Sequence, residues 1–180
     1  MKTFFFKLLI VACLIGGTFI ESQAQTPFSK ESHVLHGGFG LGGWGVDVVG
    51  FGVSSTPIIS VSYDQGLIDN LGIGNLGIGG AFGIKRYEFD NSNVNWTRAF
   101  AGVRGTYHFD FVNSDKLDFY AGVNAGLLFY TNSADGVDSD ATPYVGPIAG
   151  INYWLTSFFG LYAEAGYGLG YINGGVALNF

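Results

Sequence analysis

The chain is short of three things: cysteine, charge and long apolar runs. Its single cysteine, Cys13, lies within the first 24 residues. A chain trimmed after that stretch can form no disulfide, although small exported domains usually depend on them. Charged residues make up 12% of the sequence, against about 25–35% for a surface that must face water. The chain therefore lacks the charge to cover itself in solvent. Its formal charge is −6, and removal of Lys2, Lys7 and Glu21 leaves 6 basic against 13 acidic residues, or −7. An acidic, aromatic-rich chain is a poor binder of nucleic acid, and no nucleic-acid partner is expected. After residue 24 no apolar run approaches the roughly 20 residues of a membrane-spanning helix. An exported hydrophobic chain of this kind is either a transmembrane barrel or a soluble sandwich.

Export is read from residues 1–24. Lys2 and Lys7 supply a positive start, residues 8–20 are apolar, and Ser22-Gln23-Ala24 puts small residues where a signal peptidase inspects them. The expected division is a cleaved signal peptide, 1–24, and one domain, 25–180. A membrane anchor would need a longer run than Lys7 and Glu21 allow. Ile10-Val11-Ala12-Cys13 formally fits a lipid-attachment box, but cleavage there leaves an apolar segment, 14–20, where a polar tether belongs.

The rest of the chain alternates with period two, the mark of strands with one face in an apolar medium. After a short polar lead, 25–32, eight strands are expected: 33–45, 58–65, 73–87, 96–109, 117–130, 144–155, 159–168 and the stretch ending at Phe180. The phase slip near Asn75 reads as a bulge or as the true strand start. The fifth strand has the clearest apolar face, with Leu117, Phe119, Ala121, Val123, Ala125, Leu127 and Phe129. Ten or more residues per strand suffice to cross a bilayer at a tilt. An even count puts both ends of the chain on the periplasmic side and loops 46–56, 90–95 and 131–143 outside. A lipocalin-like barrel alternates in the same way with its apolar face inward. Here the second face is mostly glycine with a few charges of both signs, too sparse for a solvated exterior and suited to a side-chain-filled lumen. Tyr63, Trp96, Phe109, Phe129, Tyr144, Trp154 and Phe159 sit at strand ends, where interfacial girdles belong.

The last ten residues, YINGGVALNF, place Asn173, Gly175, Leu178 and Phe180 in the order polar, glycine, apolar, aromatic. This resembles the C-terminal signal of outer-membrane barrels, which the barrel-assembly machinery reads. The stretches GLYAEAGYG and YVGPIAGINYWL are similar to the last hairpin of the small eight-stranded OmpA/OmpX-like outer-membrane barrel family, and the likeness covers nearly all of 25–180. It implies an all-β, eight-stranded antiparallel up-and-down transmembrane barrel in the outer membrane of a Gram-negative bacterium. It also implies lipid and lipopolysaccharide around the barrel, and the assembly machinery and periplasmic chaperones during biogenesis. It specifies no activity, because the same barrel hosts adhesins, enzymes and anchors.

Parity assigns Asp64, Lys85, Arg98, Arg104, His108, Asp118 and Glu164 to the lumen, where charges must be paired. His108 and Asp118 fall nearly opposite across a hairpin, and Arg104 and Glu164 lie at similar heights. That network either fills the interior or gates a narrow water path, so a small pore stands as the alternative to a closed scaffold presenting loops or supporting the envelope. A lipid A-modifying enzyme would need a lipid-facing histidine beside a serine. His33, His36 and His108 have no such serine two residues away on a strand face, and no catalytic residue is expected. No cofactor and no metal are expected either: Asp135, Asp138 and Asp140 lack the glycine and distal glutamate of a calcium loop. Gly37-Gly38-Phe39-Gly40 precedes no helix that could cradle phosphate. Arg86, on an apolar face at the outer rim, is a candidate for a lipopolysaccharide phosphate.

Overall fold

A computed structural model describes residues 28–44, 53–89, 95–111, 114–132 and 140–180. The segment expected to be a signal peptide, 1–24, lies outside the described residues, as do Asp135, Asp138 and most of the expected loops 46–56, 90–95 and 131–143. The strands are β1 (His33–Leu41), β2 (Val53–Ser55), β3 (Ile58–Ile68), β4 (Gly74–Phe89), β5 (Asn95–Phe109), β6 (Leu117–Asn132), β7 (Asp140–Trp154), β8 (Phe159–Gly166) and β9 (Ile172–Asn179). Every neighbouring pair is antiparallel, and β1 pairs with both β3 and β9, so the sheet closes on itself. The barrel has eight walls, because β2 continues β3 after a break at Thr56-Pro57. Proline brings no N–H to the ladder. Instead Thr56 N donates to Arg86 O, and Arg86 N donates to the Thr56 hydroxyl. The third expected strand, 73–87, is β4 and begins at Gly74, and the register shift lies on β3 between Gly66 and Ile68.

The ladder fixes the tilt. From Ile84 the register runs through Ala99 and Phe129 to Ala141 on β7. In the other direction it runs through Ile59, Phe39, Gly174 and Ala163 to Ile151, also on β7. The two arrivals differ by 151 − 141 = 10 residues. Eight strands with that stagger tilt by about 40° and enclose an interior that side chains can fill. The stagger also leaves one sector tall. β8 stops at Gly166 and β9 starts at Ile172, while β4 to β7 run on past the closed wall. Residues 140–146 of β7 have no partner on β8.

The outward face is apolar: Phe39, Ile59, Ile78, Phe82, Val103, Val123, Val145, Leu161 and Val176 are all exposed. The inward face carries the buried polar and charged side chains, among them His36, Asp64, Lys85, Arg104, Asp118 and Glu164. Hydrophobicity outside and charge inside reverse the order of a soluble protein and match a barrel whose solvent is lipid. The parity of the expected strands holds throughout, with one correction. Of the seven aromatics assigned to girdles, Tyr63, Phe109, Phe129 and Phe159 face outward, but Trp96, Tyr144 and Trp154 share parity with the luminal residues. Trp154 is 5% exposed, and Tyr144 packs on the inner core.

Candidate functional site

The half of the lumen nearest Phe28 and Phe180 holds a closed ring of polar contacts. Asp118 sits 2.8 Å from His108 Nδ1 and accepts from Asn152 Nδ2 at 2.8 Å. Asn152 Oδ1 faces His36 Nε2 at 2.9 Å, and His36 Nδ1 lies 3.7 Å from Asp64. The Thr106 hydroxyl donates to Asp64 and contacts His108 Nε2 at 3.1 Å, which closes the circuit. A branch leaves at Asp64, where Arg104 Nε donates at 2.9 Å while its Nη2 pairs with Glu164 at 2.8 Å. Tyr120 donates to Glu164 at 3.0 Å. β1, β3, β5, β6, β7 and β8 are thus joined through side chains in addition to their ladders. A buried carboxylate without partners costs several kcal/mol; each of the three here has at least two.

The expected pairs His108–Asp118 and Arg104–Glu164 both form. Asp64 joins Arg104 as well. Lys85 and Arg98 do not belong to this ring. They are register partners higher in the barrel, where Lys85 lies 5.0 Å from the centre of the Tyr87 ring. The Arg98 guanidinium sits between the rings of Tyr87 and Tyr130, at 5.1 and 5.0 Å. Aromatic faces attract a cation through the negative face of the ring.

Buried side chains pack toward both ends of the interior. Toward the loop end Trp44, Ile58, Ala81, Phe100, Leu128 and Leu169 form an apolar core, with Tyr130 and Tyr144 against it. Trp44 Nε1 donates to Gly168 O at 3.1 Å, and Tyr87 donates to Trp44 O. At the opposite end the lead segment tucks inside. Phe28 is 1% exposed and stacks flat on His108 with ring centres 3.5 Å apart. It packs with Val34, Trp154, Tyr162 and Ala177. Phe28 O accepts from Asn75 Nδ2, and Gly66 N donates to Ser32 O. Residues 28–32 are a plug rather than the polar lead the sequence suggested.

His36, Tyr120, Asn152 and Phe28 were missed in the sequence. For Tyr120 the signal was present, since it shares parity with Asp118 on β6; His36 and Asn152 lie on β1 and β7, where no luminal charge had been recognised, and only their place opposite an apolar face pointed inward. His36 also has serine and aspartate neighbours: Ser62 Oγ at 3.4 Å and Asp64 at 3.7 Å. Both face the same ring nitrogen, Nδ1. A nucleophile–base–acid relay needs the two on opposite nitrogens, and all three side chains are buried in the lumen. The trio belongs to the filling network.

The residues of the C-terminal pattern all hold the closing seam. Asn173 accepts from Ser60 and Tyr162, at 3.2 and 3.3 Å. Gly175 faces Gly38 across the seam, Leu178 pairs with Leu35 and Phe159, and Phe180 stacks on His33 at 6.0 Å. On the outside, Arg86, Glu88, Asn95, Thr97 and Thr131 line a shallow groove of about 190 Å³ near the loop end. Asp140 is part of β7 and accepts from the backbone of Ala141. Among the described residues no group of three or more His, Cys, Asp or Glu is placed to hold a metal ion.

An apolar exterior, a charged and packed interior and a closed ladder decide the class. The chain is an eight-stranded transmembrane β-barrel. No family model matches the sequence, and no curated protein matches it. Similar solved structures include two of Ail, the attachment invasion locus protein of Yersinia pestis. One (TM-score 0.47) is Ail alone; the other (0.48) is Ail in complex with the heparin analogue sucrose octasulfate. Each has 15% sequence identity, over 84% of this chain and 96% of that chain. The barrel assignment rests on this chain's own register and faces.

Proposed function

We propose that the protein is a non-enzymatic outer-membrane barrel of a Gram-negative envelope, exported by a cleaved signal peptide, that works as a closed scaffold presenting its loop end. The observation that carries this reading is the packing toward both ends of the interior. A dry constriction blocks ions by excluding water. The Trp44–Phe100–Leu128–Leu169 core supplies one between the polar ring and the loop end, and Phe28 blocks the other mouth. What remains available to a partner is the tall β4–β7 sector with the segments that join its strands, within the regions expected as loops 46–56, 90–95 and 131–143. Among the described residues the edge of β7 at 140–146 has no partner on the side of β8, which supports the same reading, since such an edge is a surface on which an extended segment docks. The test is single-channel conductance of the refolded mature chain in planar bilayers, beside Arg104→Ala. Silence from both is expected, because the apolar core is untouched by the substitution. Steady conductance of the native barrel would replace the scaffold by a pore. Opening of the Arg104→Ala variant alone would make the ion pair the gate.

A further inference from the structure

The outer groove at the loop end has a position that the ladder makes quantitative. On β4 the outward residues run Gly74, Leu76, Ile78, Gly80, Phe82 and Ile84. Their register partners on β5 and β6 are equally uncharged, from Phe109 and Phe119 at one end to Ala99 and Phe129 at the other. Ten steps of about 3.3 Å at a tilt of about 40° rise roughly 25 Å, the height of the apolar band on an outer-membrane barrel. The next outward row is Arg86, Thr97 and Thr131, register partners across three strands, and above it stand Glu88 and Asn95. Composition changes abruptly there, from no charge in the band to a cation, a carboxylate, an amide and two hydroxyls around one groove. The Thr56 hydroxyl binds the Arg86 backbone beside it. Among the described residues Arg86 makes no ion pair, although Glu88 is two residues away on the same face.

We infer that this shelf binds the headgroup of a phosphorylated sugar lipid of the surrounding leaflet. Arg86 takes the phosphate as a bidentate donor, and Glu88, Asn95, Thr97 and Thr131 take sugar hydroxyls. The mixed donor set separates this site from a purely basic patch, which would hold any anionic lipid through charge alone. A shelf one row above the band meets the headgroup without lifting the acyl chains out of the apolar layer. The inference rests on the outer-membrane placement proposed above, with the loop end outward.

Native mass spectrometry of the detergent-refolded mature barrel tests it. The probes are a phosphorylated glucosamine-based glycolipid, the same lipid stripped of phosphate, and phosphatidylglycerol. Retention of the phosphorylated glycolipid above both others is expected. Arg86→Gln should lower it about tenfold, as loss of a charged hydrogen bond does, and Thr97→Val/Thr131→Val should lower it less. Arg86→Lys should recover part of the loss. Equal retention by native and Arg86→Gln barrels overturns the site, as does retention of phosphatidylglycerol equal to the glycolipid. Binding of the soluble headgroup as tightly as the lipid overturns the membrane source. Heat-modifiable gel mobility verifies folding for each variant, and none of these outcomes depends on whether the lumen conducts.

Discussion

Arg104 is where one side chain decides the most. Its guanidinium is the shared partner of Asp64 and Glu164, so Arg104→Ala leaves two carboxylates facing each other in a dry interior. Removing one partner of a buried charge pair costs about 3–5 kcal/mol, and urea unfolding of the barrel in lipid vesicles should show at least that loss. Asp64→Asn together with Glu164→Gln in the Arg104→Ala background should restore part of it. Asp110, in the turn after β5, offers a test by pH. Partial burial and the nearby Asp118 charge hold its carboxyl above the usual range. Ionising it is therefore harder in the folded barrel than in the unfolded chain, and its unfavourable contribution grows as pH rises through the carboxylate range. Asp110→Asn should match the native barrel at pH 3 and unfold at higher urea at pH 7. Parity alone made Arg104, Glu164, His108 and Asp118 legible in the sequence. It did not say that Asp64 would reach Arg104, because which luminal side chains share a layer depends on the stagger of the whole ladder. Nor could it find Phe28, whose burial comes from a segment outside any periodic pattern.

At the scale of elements, the eight walls and their faces could be read from alternation, because lipid outside and glycine-lined lumen inside impose period two on every strand. How far each wall extends could not. Whether the outer half of β7 has a neighbour depends on where β8 ends, which β7's own pattern does not record. The free edge carries Pro143, and Pro147 stands just below it. Tyr167 N donates to Pro147 O, so odd-numbered residues of β7 turn their backbone groups toward the missing neighbour. Pro143 thus removes a donor from the exposed edge, a common guard against unwanted strand pairing. Pro143→Val should promote dimers in detergent, seen by sedimentation or cross-linking. Gly150 tests a wall from inside. It faces Tyr120 across β6 and β7, and a Cβ there would lie 2.4 Å from the Tyr120 ring. Gly150→Val must push Tyr120 off Glu164, and overpacking of this kind costs about 1–3 kcal/mol, measurable in the same unfolding assay.

For the molecule as a whole, the polar lumen and the apolar exterior divide the work of stability. Lipid holds the outside over the height where the ladder is closed and its backbone groups are paired, and the ring of ion pairs and hydrogen bonds holds the strands in register from within. Phe28 adds something that neither of these does. Its pocket is built from Val34 on β1, His108 on β5, Trp154 on β7, Tyr162 on β8 and Ala177 on β9, strands from both ends of the chain that meet only when β1 has found β9. The first described residue of the protein therefore cannot settle until the last strand is in place. Its docking marks time in folding: a Phe28→Ala chain should close its barrel at the native rate, and lose only the final slow change in Trp154 fluorescence that reports the mouth being shut.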